Sequence, residues 1–215
     1  MTLLTHKLSR VFRNAYLDLR YGAFLGGTVT SPFAALGIHD TANTDYEALP
    51  EIFANAIGPS DVLVDVGCGK GRVINWWLSR GFDNQIFGIE LDPKIANETS
   101  HRLRHYPNVK IIFGDAVLRL PEEGTVFYLF NPFDETWIRA LKERMDRFFG
   151  SKRPIRVFYY NCLHSEIFEA DPCWIVQKIN LRHPFHQLAV IQPAAVIDMP
   201  GTNDVIRRPS PGKIQ

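Results

Sequence analysis

Residues 62–73 read VLVDVGCGKGRV. The first five, 62–66, are an apolar run rich in β-branched residues, which predicts a strand. Gly67, Gly69 and Gly71 follow at once, and Arg72 opens a helical pattern over 72–80. In α/β folds ligands lie outside the carboxyl ends of the parallel strands, where this turn sits. Glycine lets the chain turn sharply and lets a ligand approach with no β-carbon between. The spacing is G-x-G-x-G. The dinucleotide fingerprint is G-x-G-x-x-G, and Arg72 holds its sixth position; a phosphate-binding P-loop needs G-x-x-x-x-G-K-[ST], which is missing here. Asp65, two residues before the loop, can accept from loop amides or from a cationic ligand. Cys68 inside the loop has no partner cysteine for redox work and reads as packing.

Working outward, strands are expected at 85–90 (QIFGIE), 109–113 (VKIIF), 125–130 (TVFYLF) and 155–161 (IRVFYYN). Helical patterns separate them: 93–106, with Pro93 suited to a first turn, 135–149, with Asp134 as N-cap, and a short one at 165–170. The run at 125–130 is nearly continuous in apolar character, as in a central strand buried on both faces. WIVQKI (174–179) and HQLAVIQ (186–192) follow without an intervening helix and read as an antiparallel edge hairpin. The alternation predicts an α/β fold with a doubly wound, mostly parallel, Rossmann-like sheet.

Two further acids follow strands. Glu90 ends the second, next to Leu91, and an acid there can accept from both hydroxyls of a ribose. Asp115 follows the third, next to Ala116, and can accept from an adenine amino group. Each acid alone has a bland reading as a surface or turn residue. Three acids after three consecutive strands, with a glycine loop after the first, make joint coincidence improbable.

The set VDVGCGKG (64–71), GIELD (88–92), GDA (114–116) and FNPF (130–133) resembles the class I S-adenosylmethionine-dependent methyltransferases. The resemblance spans the central two thirds of the chain. It implies a seven-stranded sheet whose last strand is antiparallel, S-adenosylmethionine as cofactor and S-adenosylhomocysteine as product. It also implies Gly67, Gly69 and Gly71 near the methionine portion, Glu90 at the ribose and Asp115 at the adenine. Asp65, Cys68, Leu91, Ala116 and Asn131 complete the expected cofactor site. The stretches LDLRYG (17–22) and TDYEALPEIF (44–53) resemble a bacterial group of these enzymes in which an aromatic upstream of the loop borders the cofactor. Tyr46 is that aromatic here, or else packs its own helix.

FNPF ends the fourth strand. The N-methyltransferase branch carries Asn/Asp-Pro-Pro-aromatic at this place. An amine acceptor needs its lone pair aimed at the methyl carbon and its hydrogens held from the side. The Asn131 amide oxygen and a neighbouring carbonyl, such as that of Pro132, can accept those hydrogens. Phe133 can pack on a planar acceptor or near the cation. Catalysis by Asn131, Pro132 and Phe133 is then positioning, with no strong base required. This sequence has Asn-Pro-Phe, so the aromatic comes one position early.

The front of the chain differs in character. Residues 3–19 have an amphipathic helical pattern, with Leu4, Leu8, Val11, Phe12, Ala15 and Leu19 on one face. The expected role of that face is packing on the main domain; a substrate lid or a basic membrane-surface contact are the alternatives. Residues 21–45 are irregular and too long for an ordinary connector, as in functional lids; Tyr21 and this segment are candidates to cover the substrate. A helix is expected at 46–57. The division is therefore a helical or lid extension (1–60), the methyltransferase core (61–195) and a flexible tail (196–215).

With 24 Lys+Arg against 23 Asp+Glu the net charge is +1, so a protein built mainly to grip nucleic acid is disfavoured. The expected acceptor is a protein side chain or a small amine. A small-molecule O-methyltransferase and a non-catalytic S-adenosylmethionine-binding module are the alternatives, and an NAD enzyme is disfavoured by the glycine spacing. His101 and His105 share a helical face but have no evident third ligand, so no metal site is expected. Three cysteines with no CxxC pair, no membrane span and no signal peptide point to the cytoplasm.

Overall fold

A computed structural model describes residues 3–148, 154–182 and 187–194. Seven strands form one sheet in the order β3-β2-β1-β4-β5-β7-β6. They are β1 (Leu63–Val66), β2 (Ile86–Glu90), β3 (Val109–Phe113), β4 (Val126–Phe130), β5 (Arg156–Tyr160), β6 (Trp174–Asn180) and β7 (Gln187–Pro193). The first five are parallel. The closing hairpin then inserts β7 antiparallel between β5 and β6.

β1 is the pivot of this topology. Leu63 pairs with Ile86 on one side and Val126 on the other, so the chain winds outward through β2 and β3 and returns to β4. The loops that leave β1 and β4 therefore diverge at the switch point, where doubly wound sheets open a crevice.

Strand periodicity explains the two cores. Val64, Val66, Phe127, Leu129 and Val157 point to one face, where they meet Ile138, Leu141 and Met145 of α6 (Glu135–Phe148). Leu63, Tyr128, Phe158 and Tyr160 point to the other. There they meet Trp77 of α3 (Arg72–Ser79) and Phe53 of α2 (Leu49–Phe53), whose ring lies 5.3–5.5 Å from those of Trp77, Tyr128 and Phe158. Burial on both faces is why these strands read as continuous apolar runs. α4 (Pro93–Leu103) is capped by Asp92, which accepts from the backbone amides of Lys94 and Ile95. Asp134 caps α6 in the same way, accepting from the amide of Trp137. A one-turn α5 (Ala116–Arg119) and α7 (Glu166–Glu169) complete the helices beside α1.

Two expectations about the front of the chain need correction. The helix expected at 46–57 shrinks to α2, because Ala54 takes a left-handed φ of 42° that ends it. The second correction is larger. α1 (Leu3–Arg20) forms, but its apolar face points outward: Leu8, Val11, Phe12, Tyr16 and Leu19 are all exposed. The polar face docks instead. Asp18 is fully buried and accepts from Arg72 Nη2 at 2.6 Å, Arg72 Nε at 3.1 Å and the Leu25 amide at 3.2 Å. Arg10 pairs with Asp45 at 3.3 Å and Arg13 with Glu47 at 3.1 Å. A buried carboxylate must keep its cationic partner, and that requirement fixes the rotation of the helix. The side chain of Leu4 and the tail expected to be flexible lie outside what is described.

Candidate functional site

The loop after β1 is built to bend. Gly67, Gly69 and Gly71 have φ of 74°, 51° and 74°. A β-carbon on Gly67 would meet Pro132 Cβ at 2.9 Å, and one on Gly69 would meet Thr41 Cγ2 at 2.6 Å. Both faces of the loop are thus pressed by other segments, and only glycine fits. Glu90 pins the loop to β2: its Oε2 accepts from the Gly69 amide at 2.8 Å and its Oε1 from the Asp92 amide at 2.8 Å. Thr99 of α4 donates to the Gly69 carbonyl at 3.0 Å.

The cleft opens at the switch point. Gly67, Glu90, Leu91, Asp115, Ala116, Pro132 and Phe133 line it together, joined by Ile89, Ile95 and Trp137. These are seven of the residues singled out in the sequence, brought from the ends of β1 to β4. Asp115 also caps α5, accepting from the Val117 amide at 2.8 Å.

The opposite wall is a strap formed by residues 29–42. Val29 and Thr41 exchange backbone hydrogen bonds of 3.0 and 2.9 Å at its base. Lys70 Nζ holds that base by donating to the carbonyls of Gly26 and Gly27. At the tip, Ile38 pairs antiparallel with Phe133. There the His39 amide donates to the Pro132 carbonyl at 3.1 Å, and the Asp134 amide donates to the Gly37 carbonyl at 2.9 Å. The strap lies so close that the cleft holds about 210 Å³, less than the roughly 300–1,000 Å³ of most ligand pockets.

Asn131 is buried and adopts a left-handed φ of 38°. Its amide oxygen accepts from the Tyr159 hydroxyl at 2.9 Å. Burial raises the Tyr159 phenol well above its ordinary range, so it keeps the proton it donates. His39 Nδ1 lies 2.8 Å from the Asn131 backbone oxygen and 3.2 Å from the Asn131 amide nitrogen. A carbonyl oxygen can only accept, so the shorter contact places a proton on Nδ1.

Asp65 is the odd group. It is buried at the end of β1, and its Oδ2 has no hydrogen-bond partner. Burial, with the Glu90 charge added, pushes its carboxyl up to about 8. Burial raises Glu90 as well, against the lowering effect of the Asp92 and Gly69 amides. Two acids held reluctant to ionise are matched to a cation. The donor set fits S-adenosylmethionine: an orphan carboxylate for its ammonium, Glu90 for vicinal hydroxyls, Asp115 for an amino edge, and an apolar wall of Ile89, Leu91 and Phe133 for a flat ring.

Residues 63–148 match the family model described as a methyltransferase domain. Over these residues the chain carries a methyltransferase domain, on the class I fold. The Mycobacterium tuberculosis protein Rv1506c, provisionally named a methyltransferase, is 26% identical over 142 residues, 60% of this chain and 84% of its own. The ribosomal RNA small subunit methyltransferase A of Dehalococcoides mccartyi is 33% identical over 76 residues, 35% of this chain but only 25% of its own. Among solved structures, an RNA methyltransferase from Salinibacter ruber in complex with S-adenosyl-L-homocysteine superposes with a TM-score of 0.55 at 18% identity. That likeness covers 71% of this chain and 93% of the other. A methyltransferase from Pyrococcus furiosus superposes at 0.57 and 16% identity, over 88% and 98%. No helix among the described residues is long and apolar enough to cross a membrane.

Several expected site residues of the methyltransferase stand outside the cleft. Tyr46 is buried on the far side of the loop, with the Arg72 guanidinium 5.4 Å from its ring and Asn75 donating to its hydroxyl at 3.3 Å. It lines a separate hollow with Arg13 and Arg80, so the packing alternative describes its place. Cys68 is buried beneath the loop, and burial raises its thiol. Gly71 turns into α3 against Thr99. Asn131 backs the cleft rather than lining it. Ile38, His39 and Thr41 were not singled out individually. The length of the 21–45 segment signalled a cover, but contacts 92 residues apart, such as His39 to Asn131, leave no local pattern.

Proposed function

We propose that this methyltransferase transfers its methyl group to nitrogen, on a protein side chain or a small amine, at the mouth formed by Pro132 and Phe133, with Asn131 behind them. In this reading Glu90 accepts from the ribose hydroxyls, Asp115 from the adenine amino group, and Asp65 faces the cationic methionine end beyond Gly67 and Gly69. S-adenosylmethionine, when bound, supplies a methyl group on a sulfonium centre.

One observation carries the nitrogen reading: the carbonyls of Asn131 and Pro132 already accept two N–H groups, Nδ1–H and the backbone amide of the single residue His39. The strap thus occupies the place of an amine with two hydrogens to give. When His39 withdraws, the same acceptors hold an incoming amine and leave its lone pair unengaged. Tyr159 keeps the Asn131 side chain oriented throughout. Phe133 and Trp137, with ring centroids 6.4 Å apart, shield the mouth from water.

A second reading rests on the same contact. With Nδ1 protonated, His39 Nε2 is available as a base for a hydroxyl acceptor, which suits O-transfer. The test is a lysate incubated with enzyme and isotopically methyl-labelled cofactor, separated into protein, RNA and small-molecule fractions. Label in protein or small amines supports the proposal. Label confined to RNA, the acceptor class of the partial relatives in Dehalococcoides mccartyi, contradicts it.

A further inference from the structure

α1 is mounted inside out. Its polar face is consumed by ion pairs to the domain, and its apolar face is left to solvent over its whole described length. Phe12 is 72% exposed, Tyr16 67% and Leu19 62%, with Leu8 and Val11 beside them. At 100° per residue these five side chains span an arc of about 140°. Single exposed apolar residues are ordinary, but a contiguous stripe marks a contact surface.

Charge decides what covers it. The helix sequence carries Lys7, Arg10, Arg13 and Arg20 against one acid, Asp18, which is buried on Arg72. Arg20 is exposed next to the stripe, and Arg80 lines the same hollow as Arg13 and Arg20; neither forms an ion pair among the described residues. Arg20 and Arg80 beside an apolar stripe complement an anionic surface.

We propose that α1 is an interfacial helix that docks the enzyme on an anionic lipid surface. Phe12, Tyr16 and Leu19 enter the boundary between headgroups and acyl chains, and Arg20 and Arg80 meet the lipid charge. The ion pairs Asp18–Arg72, Arg10–Asp45 and Arg13–Glu47 hold the helix on the domain while its other face is in lipid.

The test is co-sedimentation of the full chain with vesicles of phosphatidylcholine alone and of phosphatidylcholine with one quarter phosphatidylglycerol. The wild type should sediment with the anionic vesicles, and do so less at 0.5 M salt than at 0.1 M. Phe12→Ser with Leu19→Ser should lower the bound fraction at least tenfold. Both side chains are exposed, so the variant should bind S-adenosylhomocysteine as the wild type does, which separates lost docking from lost folding. Wild-type protein that stays in the supernatant with both vesicles overturns the proposal. So does a dimer, seen by light scattering, that the double variant makes monomeric, since a second copy would then own the face.

Discussion

His39 Nδ1 lies 2.8 Å from the backbone oxygen of Asn131, a residue 92 positions further along the chain. This contact joins the strap over the cleft to the strand end that carries the Asn-Pro-Phe motif. It puts a nitrogen donor where the nitrogen reading needs one, and it leaves a nitrogen acceptor where the oxygen reading needs one. His39→Ala separates them. If His39 only holds the place of an amine, turnover changes by less than about tenfold, whereas loss of a general base costs about 10²–10⁴-fold. Single-turnover methyl transfer with the labelled acceptor measures it.

Asn131→Ala should act on turnover and stability together. It removes the acceptor for the buried Tyr159 hydroxyl, at a cost of about 1–3 kcal/mol. Turnover should fall more than affinity for S-adenosylhomocysteine. Asn131→Asp keeps an oxygen for Tyr159 and should restore most of the stability in urea denaturation. A fully active Asn131→Ala enzyme would remove this side chain from the mechanism.

Glu90 bears on the cofactor directly. Removing a charged acceptor costs about 1.5–3 kcal/mol, or roughly 10–150-fold in Kd. Glu90→Ala also frees the Gly69 and Asp92 amides that Glu90 now holds, so the loop loses its tie to β2. Calorimetric titration with S-adenosylhomocysteine should show the loss; unchanged affinity is inconsistent with the assignment.

The Asp65 carboxyl gives a pH signature. Its folded value of about 8 stands above the ordinary 3.8 of an aspartate. The folded state therefore holds the proton more tightly, so this group's contribution to stability is full below about pH 4 and is lost as pH rises towards and through 8. Asp65→Asn removes that loss and should raise Tm at pH 9 by more than at pH 5, at ~2–4 °C per kcal/mol for a chain of this size. A cation bound beside Asp65 favours its ionised form, so cofactor binding near pH 7 should release a proton. Titration in buffers of different ionisation enthalpy detects it. Equal Tm shifts at the two pH values would show that Asp65 ionises freely.

Arg72→Ala tests what orients α1. It leaves the Asp18 carboxylate buried without its guanidinium, a loss of about 3–5 kcal/mol. Protease should then cut within 3–25 much faster than in the wild type. Unaltered cleavage would mean that the helix is held by other contacts.

How much of this was legible in the sequence follows from the range of the forces involved. The strand–glycine–helix turn at 62–73 and the acids at Glu90 and Asp115 are local patterns, and the structure brings the first two loops and the third strand end to one cleft. β7 between β5 and β6 follows from a hairpin without a helix. The face of α1 did not follow, because periodicity finds an apolar stripe but not its direction. That direction is set by Asp18 and Arg72, 54 residues apart. Tyr46 failed to reach the cleft for a related reason: Arg72 and Asn75, on the helix after the glycine loop, hold it on the far side. The strap was visible as a long segment, but its register on Phe133 was not.

The central claim is transfer to nitrogen beside Asn131 and Pro132. It is tested most directly by NMR of the purified product after reaction with ¹³C-methyl-labelled cofactor, which reports the atom bonded to the new carbon. The account predicts a methyl on nitrogen that is still transferred by the His39→Ala variant. A methyl on oxygen, abolished by His39→Ala and retained in Asn131→Ala, would contradict it.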